Sequence, residues 1–185
     1  MSGNQEPVQQ TVPARMILHQ EGFIAVIAVI GLSLRESGLA AGLAPRGSLV
    51  WSLAGGAGVG LACCLVLWLV RGLPPLADLE RWQRRMVAGW TATDVLAVAA
   101  FSGLAEEALV RAFMQPLVGL VPAALIFAVL HVVPDRSMWL WPIIALVLGL
   151  LLGWIFERGG YPAAAAAHTV INGVALVRLR KGSTA

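Results

Sequence analysis

The sequence predicts an all-α integral membrane protein, a helical bundle of about six transmembrane helices, and its composition leads to this class. Of the 185 residues, 58% are hydrophobic and only 12% are charged, and the mean hydropathy is +0.80. Soluble domains have about a quarter charged residues, so a soluble globule this apolar could not cover its core. Several uncharged runs also approach the ~20 residues that a helix needs to cross a bilayer.

The same composition excludes two other classes of protein. The net charge is +3 and the basic residues form no patch, which argues against a nucleic-acid binder. The two cysteines, Cys63 and Cys64, are adjacent inside an apolar run, so they do not predict a disulfide-stapled module. The preference for arginine over lysine, with abundant alanine and glycine, favours a GC-rich prokaryotic genome.

Four apolar runs predict transmembrane helices directly. They are 16–34, Leu49–Val70, 138–156 and 161–177. The first two lie in the segment 16–71, after a polar tail, 1–15, that lacks the basic start and cleavage site of a signal peptide. Gly56 and Gly60 have the spacing that allows close helix contact, although glycine is also simply tolerated in membrane helices.

The middle of the chain predicts a hairpin of two helices, because two prolines and a glycine interrupt its apolar run. We expect a helix over about 93–117, a turn at 118–121 and a return helix that ends near Val133. At 1.5 Å per residue, Glu106 and His131 then both lie about 18 Å from the turn, side by side.

The connection 72–90 predicts a helix on the membrane surface, because charged and apolar residues alternate in it. An ordinary solvated loop is the alternative. Five tryptophans near the ends of the predicted spans are interpreted as anchors at the membrane interface. They are Trp51, Trp90, Trp139, Trp141 and Trp154.

The basic residues predict a cell-membrane protein with both termini in the cytoplasm, because cytoplasmic loops carry an excess of Lys and Arg. With six spans, and with Arg111 set aside as a motif residue, the side that holds the termini is the more basic one, and it includes a basic C-terminal tail, 179–185. Its basic residues are Arg15, Arg71, Arg81, Arg84, Arg85, Arg136, Arg178, Arg180 and Lys181. Those of the opposite side are Arg35, Arg46 and Arg158.

Ionisable side chains inside predicted spans are costly and are therefore candidates for function. Glu107 and Arg111 are four residues apart and share one helix face. The same spacing joins Phe127 to His131. The full set of polar candidates is Glu106, Glu107, Arg111, His131, His168 and Asn172.

Three short patterns order these residues along the chain. Glu-Glu-x-x-x-Arg starts at Glu106, Phe-x-x-x-His ends at His131, and His-x-x-x-Asn starts at His168. Together they resemble the CPBP family of intramembrane proteases, the CAAX-protease and bacteriocin-processing family, which includes the type II CAAX prenyl endopeptidases. The resemblance covers about 93–177 and implies a catalytic helical core over 91–178.

The resemblance is incomplete beside the motif arginine. Family members often have Phe before this arginine and Gly after it, whereas this chain has Val110 and Ala112. The difference affects packing next to the site more than its chemistry.

Peptide hydrolysis needs an activated water, a base for its proton and donors for the oxyanion. Glu106 is expected to be the base and His131 to hold the same water. The resemblance implies that His168 and Asn172 donate to the oxyanion. Glu107 and Arg111 are expected to form a supporting pair that holds the helix and keeps a positive charge near Glu106. Phe127 is expected to support the site in the same way. The alternative is that these groups only lock the helices together.

We expect no cofactor, with a zinc-dependent protease as the alternative, because Glu106, His131 and His168 form a His₂Glu set. The expected partners are the lipid bilayer and a membrane-associated protein or peptide substrate, with no nucleic acid. Processing of a C-terminal tail or a sorting signal would suit such an enzyme. The alternative functions are a non-enzymatic membrane binding protein or bacteriocin self-immunity protein and, less well matched, a small transporter.

Overall fold

The computed structural model describes residues 11–135 and 138–183. Arg136, most of the predicted tail 1–15 and the end of the predicted tail 179–185 lie outside the described residues. Within them the chain is helical, without strands apart from a single bridge between Pro45 and Gly160. The helices are α1 (Ala14–Ser33), α2 (Gly38–Gly42), α3 (Leu49–Val70), α4 (Pro74–Met86), α5 (Ala92–Glu107), a π-helix (Ala108–Met114), α6 (Gln115–Val118), α7 (Leu120–Leu130), α8 (Leu140–Gly159) and α9 (Tyr161–Ser183).

The predicted class, an all-α membrane helical bundle, is confirmed. Four helices, α1, α3, α8 and α9, are long and apolar enough to cross a membrane. The other two predicted spans correspond to the continuous passage α5–π–α6 and to α7. Helix α7 has only 11 residues, about half the length that a perpendicular membrane helix needs.

The predicted hairpin forms with two differences from the expectation. The helix expected over 93–117 is interrupted by the π-helix, and the return helix ends at Leu130 rather than near Val133. The turn between α6 and α7 is Gly119, whose φ of 89° favours glycine. His131 therefore follows α7 directly instead of lying inside it.

The π-helix lies before Pro116, which has no N–H to donate back into the preceding turn. Arg35, which follows α1, compensates from outside the helix. Its Nη1 donates to the carbonyl oxygens of Ala112 and Phe113, both at 3.3 Å. The turn after α1 thus stabilises the segment that carries the motif arginine.

Helix α9 packs against α3 and α5, and α7 packs against α8. Where α3 meets α9, Gly56 and Gly60 lie against the backbone of Ala163 and Ala167, and a Cβ on Gly56 would overlap the Ala163 carbonyl. The two glycines therefore serve close helix contact, the first of the two alternatives left open by their spacing.

Helix α4 occupies most of the connection 72–90 and packs against α8 and α9. It buries Leu79, whereas Asp78 and Arg81 pair on its exposed side. Helix α9 continues past the predicted core into the segment expected to be a tail. There Arg180 donates from Nε to the carbonyl of Trp90 at 2.9 Å.

Candidate active site

Glu106 and His131 lie side by side, as the hairpin predicts. Nε2 of His131 is 3.9 Å from Oε2 of Glu106, and their side chains are 18% and 15% exposed. Nδ1 of His131 lies 2.8 Å from the carbonyl oxygen of Phe127. Because a carbonyl only accepts, Nδ1 is the donor, and in the neutral ring Nε2 is an acceptor that faces Glu106.

Glu107 and Arg111 form a pair with no exposed side-chain surface. Nε of Arg111 donates to Oε2 of Glu107 at 3.2 Å, and the other Glu107 oxygen lies 2.9 Å from Nδ1 of His168. The ring of Phe127 packs against both partners of Glu107. Its centre lies 5.2 Å from Cζ of Arg111 and 5.8 Å from the centre of the His168 ring. Glu107 therefore ties α5 to the π-helix and to α9.

Asn172 lies one turn beyond His168 and contacts α5. Its Nδ2 donates to Oγ of Ser102 at 2.8 Å, and Ser102 donates to the carbonyl of Ala99 at 3.4 Å. The helices come this close because Gly103 faces Thr169, which a Cβ would overlap. Ser102 was not among the predicted residues, and its position one turn before Glu106 was the available signal.

Glu21 on α1 is the acidic residue that sequence reasoning missed. It is 3% exposed, and like Glu106 on the neighbouring helix α5 it has an Oε2 that is buried without a hydrogen-bond partner among the described residues. Its neighbours in sequence, His19 and Gln20, are exposed. The three polar residues therefore looked like a single interruption of an apolar span. The available signal was a glutamate inside that span.

A cavity of about 270 Å³ lies beside these residues. Most of its lining is apolar, and the apolar residues come mainly from α4, α8 and α9. Its polar lining residues include Glu21, Ser102, Glu106, His131, His168 and Asn172, and also Arg71, Glu80, Gln83 and Arg178. The predicted polar residues other than Glu107 and Arg111 thus share one cavity.

Two of the five tryptophans interpreted as membrane anchors line this cavity instead. Trp141 lies with its ring 5.7 Å from the ring of His131, and Trp90 is buried. Trp139 and Trp154 are exposed, as anchors would be. Trp141 reaches His131 from the first turn of α8, which packs against α7.

The residues of the zinc alternative do not form a metal site in this structure. Among residues 11–135 and 138–183, no group of three His, Cys, Asp or Glu side chains is placed to hold a metal ion. Nδ1 of His168 is bonded to Glu107, which leaves Nε2 as the nitrogen that a metal would use.

These features define a class: a helical membrane protein that buries carboxyl, imidazole and amide groups around a mostly apolar cavity. Residues 88–174 match the family described as type II CAAX prenyl endopeptidase Rce1-like. The resemblance predicted from the three motifs is confirmed over residues 88–174, which form a domain of the CAAX-protease family, a family of membrane proteases. The matched segment runs from α5 into α9 and leaves out α1, α3 and α4. No curated protein and no solved structure matches the chain.

Proposed function

We propose that this membrane protease is an intramembrane endopeptidase whose nucleophile is a water activated by Glu106. The observation that carries the proposal is the pair formed by Glu106 and His131 at the cavity wall. Oε2 of Glu106 is buried without a hydrogen-bond partner among the described residues, and Nε2 of His131 faces it at 3.9 Å.

The two facing atoms suit one water molecule. At 3.9 Å they are too far apart for a direct hydrogen bond. Both are acceptors when Glu106 is ionised and His131 is neutral, so a water between them donates one O–H to each. Its lone pairs then point away from both residues, toward a substrate carbonyl. General-base catalysis of this kind contributes roughly 10²–10⁴ in rate.

His168 and Asn172 are suited to receive the oxyanion that forms when the water attacks. Nδ1 of His168 is committed to Glu107, so Nε2 donates to the oxyanion when the ring is an imidazolium. Asn172 uses one N–H for Ser102 and has a second to offer.

The buried charges balance in this state. Arg111 offsets Glu107, and an imidazolium at His168 offsets the carboxylate of Glu106. A neutral set is important here, because an uncompensated charge inside an apolar bundle is strongly destabilising.

The reaction follows from these positions. The water oxygen bonds to the carbonyl carbon while its proton passes to Glu106. The tetrahedral intermediate collapses, the C–N bond breaks, and Glu106 returns the proton to the leaving amine. We propose that no cofactor takes part, and that the substrate is a membrane-associated protein or peptide whose C-terminal tail or sorting signal is removed.

The experiment compares membrane-protein termini by proteomics in three strains, which carry the wild-type protein, Glu106→Gln or no protein. We expect a set of new termini in the wild type that disappears in both other strains. Glu36→Gln, a change at an exposed glutamate after α1, is the matched control and should retain them.

Termini that persist with Glu106→Gln and vanish only when the protein is absent would contradict the proposal. That result would favour the non-enzymatic alternative, in which the protein binds a partner that another enzyme processes.

A further inference from the structure

The placement of Glu21 on the helix that packs beside Glu106 is not explained by the motifs of the family segment. The two carboxyl groups come from α1 and α5, which pack against each other, and both line the cavity. Oε2 of each is buried without a partner among the described residues. Two carboxylates cannot form a hydrogen bond with each other, because neither has a proton to donate. A single proton shared by the two groups allows one hydrogen bond between them.

We propose that Glu21 is a positioning residue of the active site: in its protonated form it donates a hydrogen bond to the carboxylate of Glu106 and holds it toward His131. This inference rests on the proposed role of Glu106 as the base. A carboxylate has about four lone-pair sites, so Glu106 accepts from Glu21 and from the attacking water at the same time.

The surrounding charges favour one neutral carboxyl in the pair. The charged or titratable groups that face the pair are Glu107 on α5, Arg111 on the π-helix, His131 after α7 and His168 on α9. With Glu106 ionised, this set is already balanced as described above. A second carboxylate beside Glu106 would add an unpaired charge, and like charges this close do not both ionise.

The consequence is that the active site extends beyond the family segment. Residues 88–174 supply the base and the oxyanion donors, whereas α1 supplies the group that orients the base. Helix α1 is thereby part of the catalytic apparatus in addition to being a membrane span.

The test uses the full-length protein and a membrane peptide that spans the cleavage site identified by the comparison of termini. Glu21→Leu removes the donor and keeps the volume, whereas Glu21→Gln keeps a donor, the amide N–H. We expect Glu21→Leu to lower kcat about 10²-fold, the order of loss from a misplaced reacting group, with KM little changed. Glu21→Gln should recover most of this loss. Gln20→Leu, an exposed change on the same helix, is the control.

Infrared spectroscopy of the resting protein adds a readout that needs no substrate. The carbonyl band of a protonated carboxyl group should be present in the wild type and absent from Glu21→Gln. Its persistence in Glu21→Gln would overturn the proposal, even if Glu21→Leu did not accumulate.

Normal kcat in Glu21→Leu, or an equal loss in folded Glu21→Gln, would also overturn it. Glu106→Gln separates this inference from the proposed function. If Glu106→Gln is inactive while Glu21→Leu is normal, only the role of Glu21 is wrong, whereas an active Glu106→Gln removes the base itself.

Discussion

Glu106 and Glu107 are adjacent in sequence, but their surroundings give them different chemistry. Glu107 has no exposed surface and both of its oxygens are bonded, one to Arg111 and one to His168. Glu106 faces the cavity with a partnerless oxygen. Successive helical residues point about 100° apart, so one glutamate can hold the helices together while its neighbour remains available to react.

The first prediction concerns the pair that flanks the proposed water. We expect Glu106→Ala and His131→Ala each to abolish proteolysis while the protein still inserts and accumulates, because each change removes one of the two acceptors. The measurement is cleavage of the membrane peptide by purified variants matched for amount, with Glu36→Ala as control. Near-normal cleavage by either variant would remove the water-activating pair.

The second prediction concerns the proposed oxyanion donors. We expect Asn172→Ala to lower the rate of single-turnover cleavage by about 10²–10³, the usual cost of one such donor, with substrate binding little changed. His168→Ala should be at least as impaired. Asn172→Asp should also fail, because a carboxylate cannot donate and repels the oxyanion. Weak binding with a normal rate for bound substrate would instead make Asn172 a residue that positions the substrate.

The third prediction concerns metal. We expect activity to survive EDTA and phenanthroline, because Glu106, His131 and His168 do not converge on one point among the described residues. The measurement is cleavage after chelation, followed by addition of zinc. Loss of activity that zinc restores would support the His₂Glu alternative.

At the scale of the elements, helix contacts decide where these side chains lie. Gly56 of α3 lies against the backbone of Ala163 on α9, whereas nothing lies within 4 Å of a Cβ at Gly58. The two glycines are two residues apart on the same helix, and only the first is at the interface. They offer a matched pair of substitutions.

The fourth prediction follows from this pair. We expect Gly56→Leu to force α3 and α9 apart, destabilising the protein by about 1–3 kcal/mol or more, as overpacked interfaces do. Activity should fall as well, because α9 carries His168 and Asn172. Gly58→Leu should leave both properties near wild type. Thermal unfolding in detergent and the cleavage rate measure the two effects, and equal stability of the two variants would contradict the packing argument.

The elements that could be predicted are those with a signal in the local sequence. Apolar runs predicted the spans, and the spacing around Gly119 predicted the hairpin that brings Glu106 to His131. The π-helix could not be predicted, because its residues read as a continuous helix and its geometry depends on Arg35 from another segment. Glu21 had a local signal, as a glutamate inside an apolar span, but its position beside Glu106 depends on the packing of α1 against α5.

At the scale of the whole molecule, the described chain crosses the membrane an even number of times if α7 and α5–π–α6 are both crossings in addition to the four long helices. The ends of the chain then lie on the same side of the membrane. The basic residues at the C-terminal ends of α3, α4 and α9, such as Arg71, Arg84 and Arg180, favour the cytoplasm for that side.

The fifth prediction tests this arrangement. We expect reporter domains fused to either end of the chain to be active only as cytoplasmic reporters. The measurement pairs a reporter that works in the cytoplasm with one that works outside it, at each end in turn. Opposite results at the two ends would mean an odd number of crossings.

The contact of α1 with α5 and α9 also bears on how the protein is made. Glu21 leaves the ribosome long before His168 and Asn172 do, so the acidic helix enters the membrane before the groups that complete the site exist. A partly synthesised chain therefore lacks the proposed oxyanion donors and one of the two partners of Glu107, His168. On the proposed mechanism, proteolysis begins only after α9 has been inserted and packed.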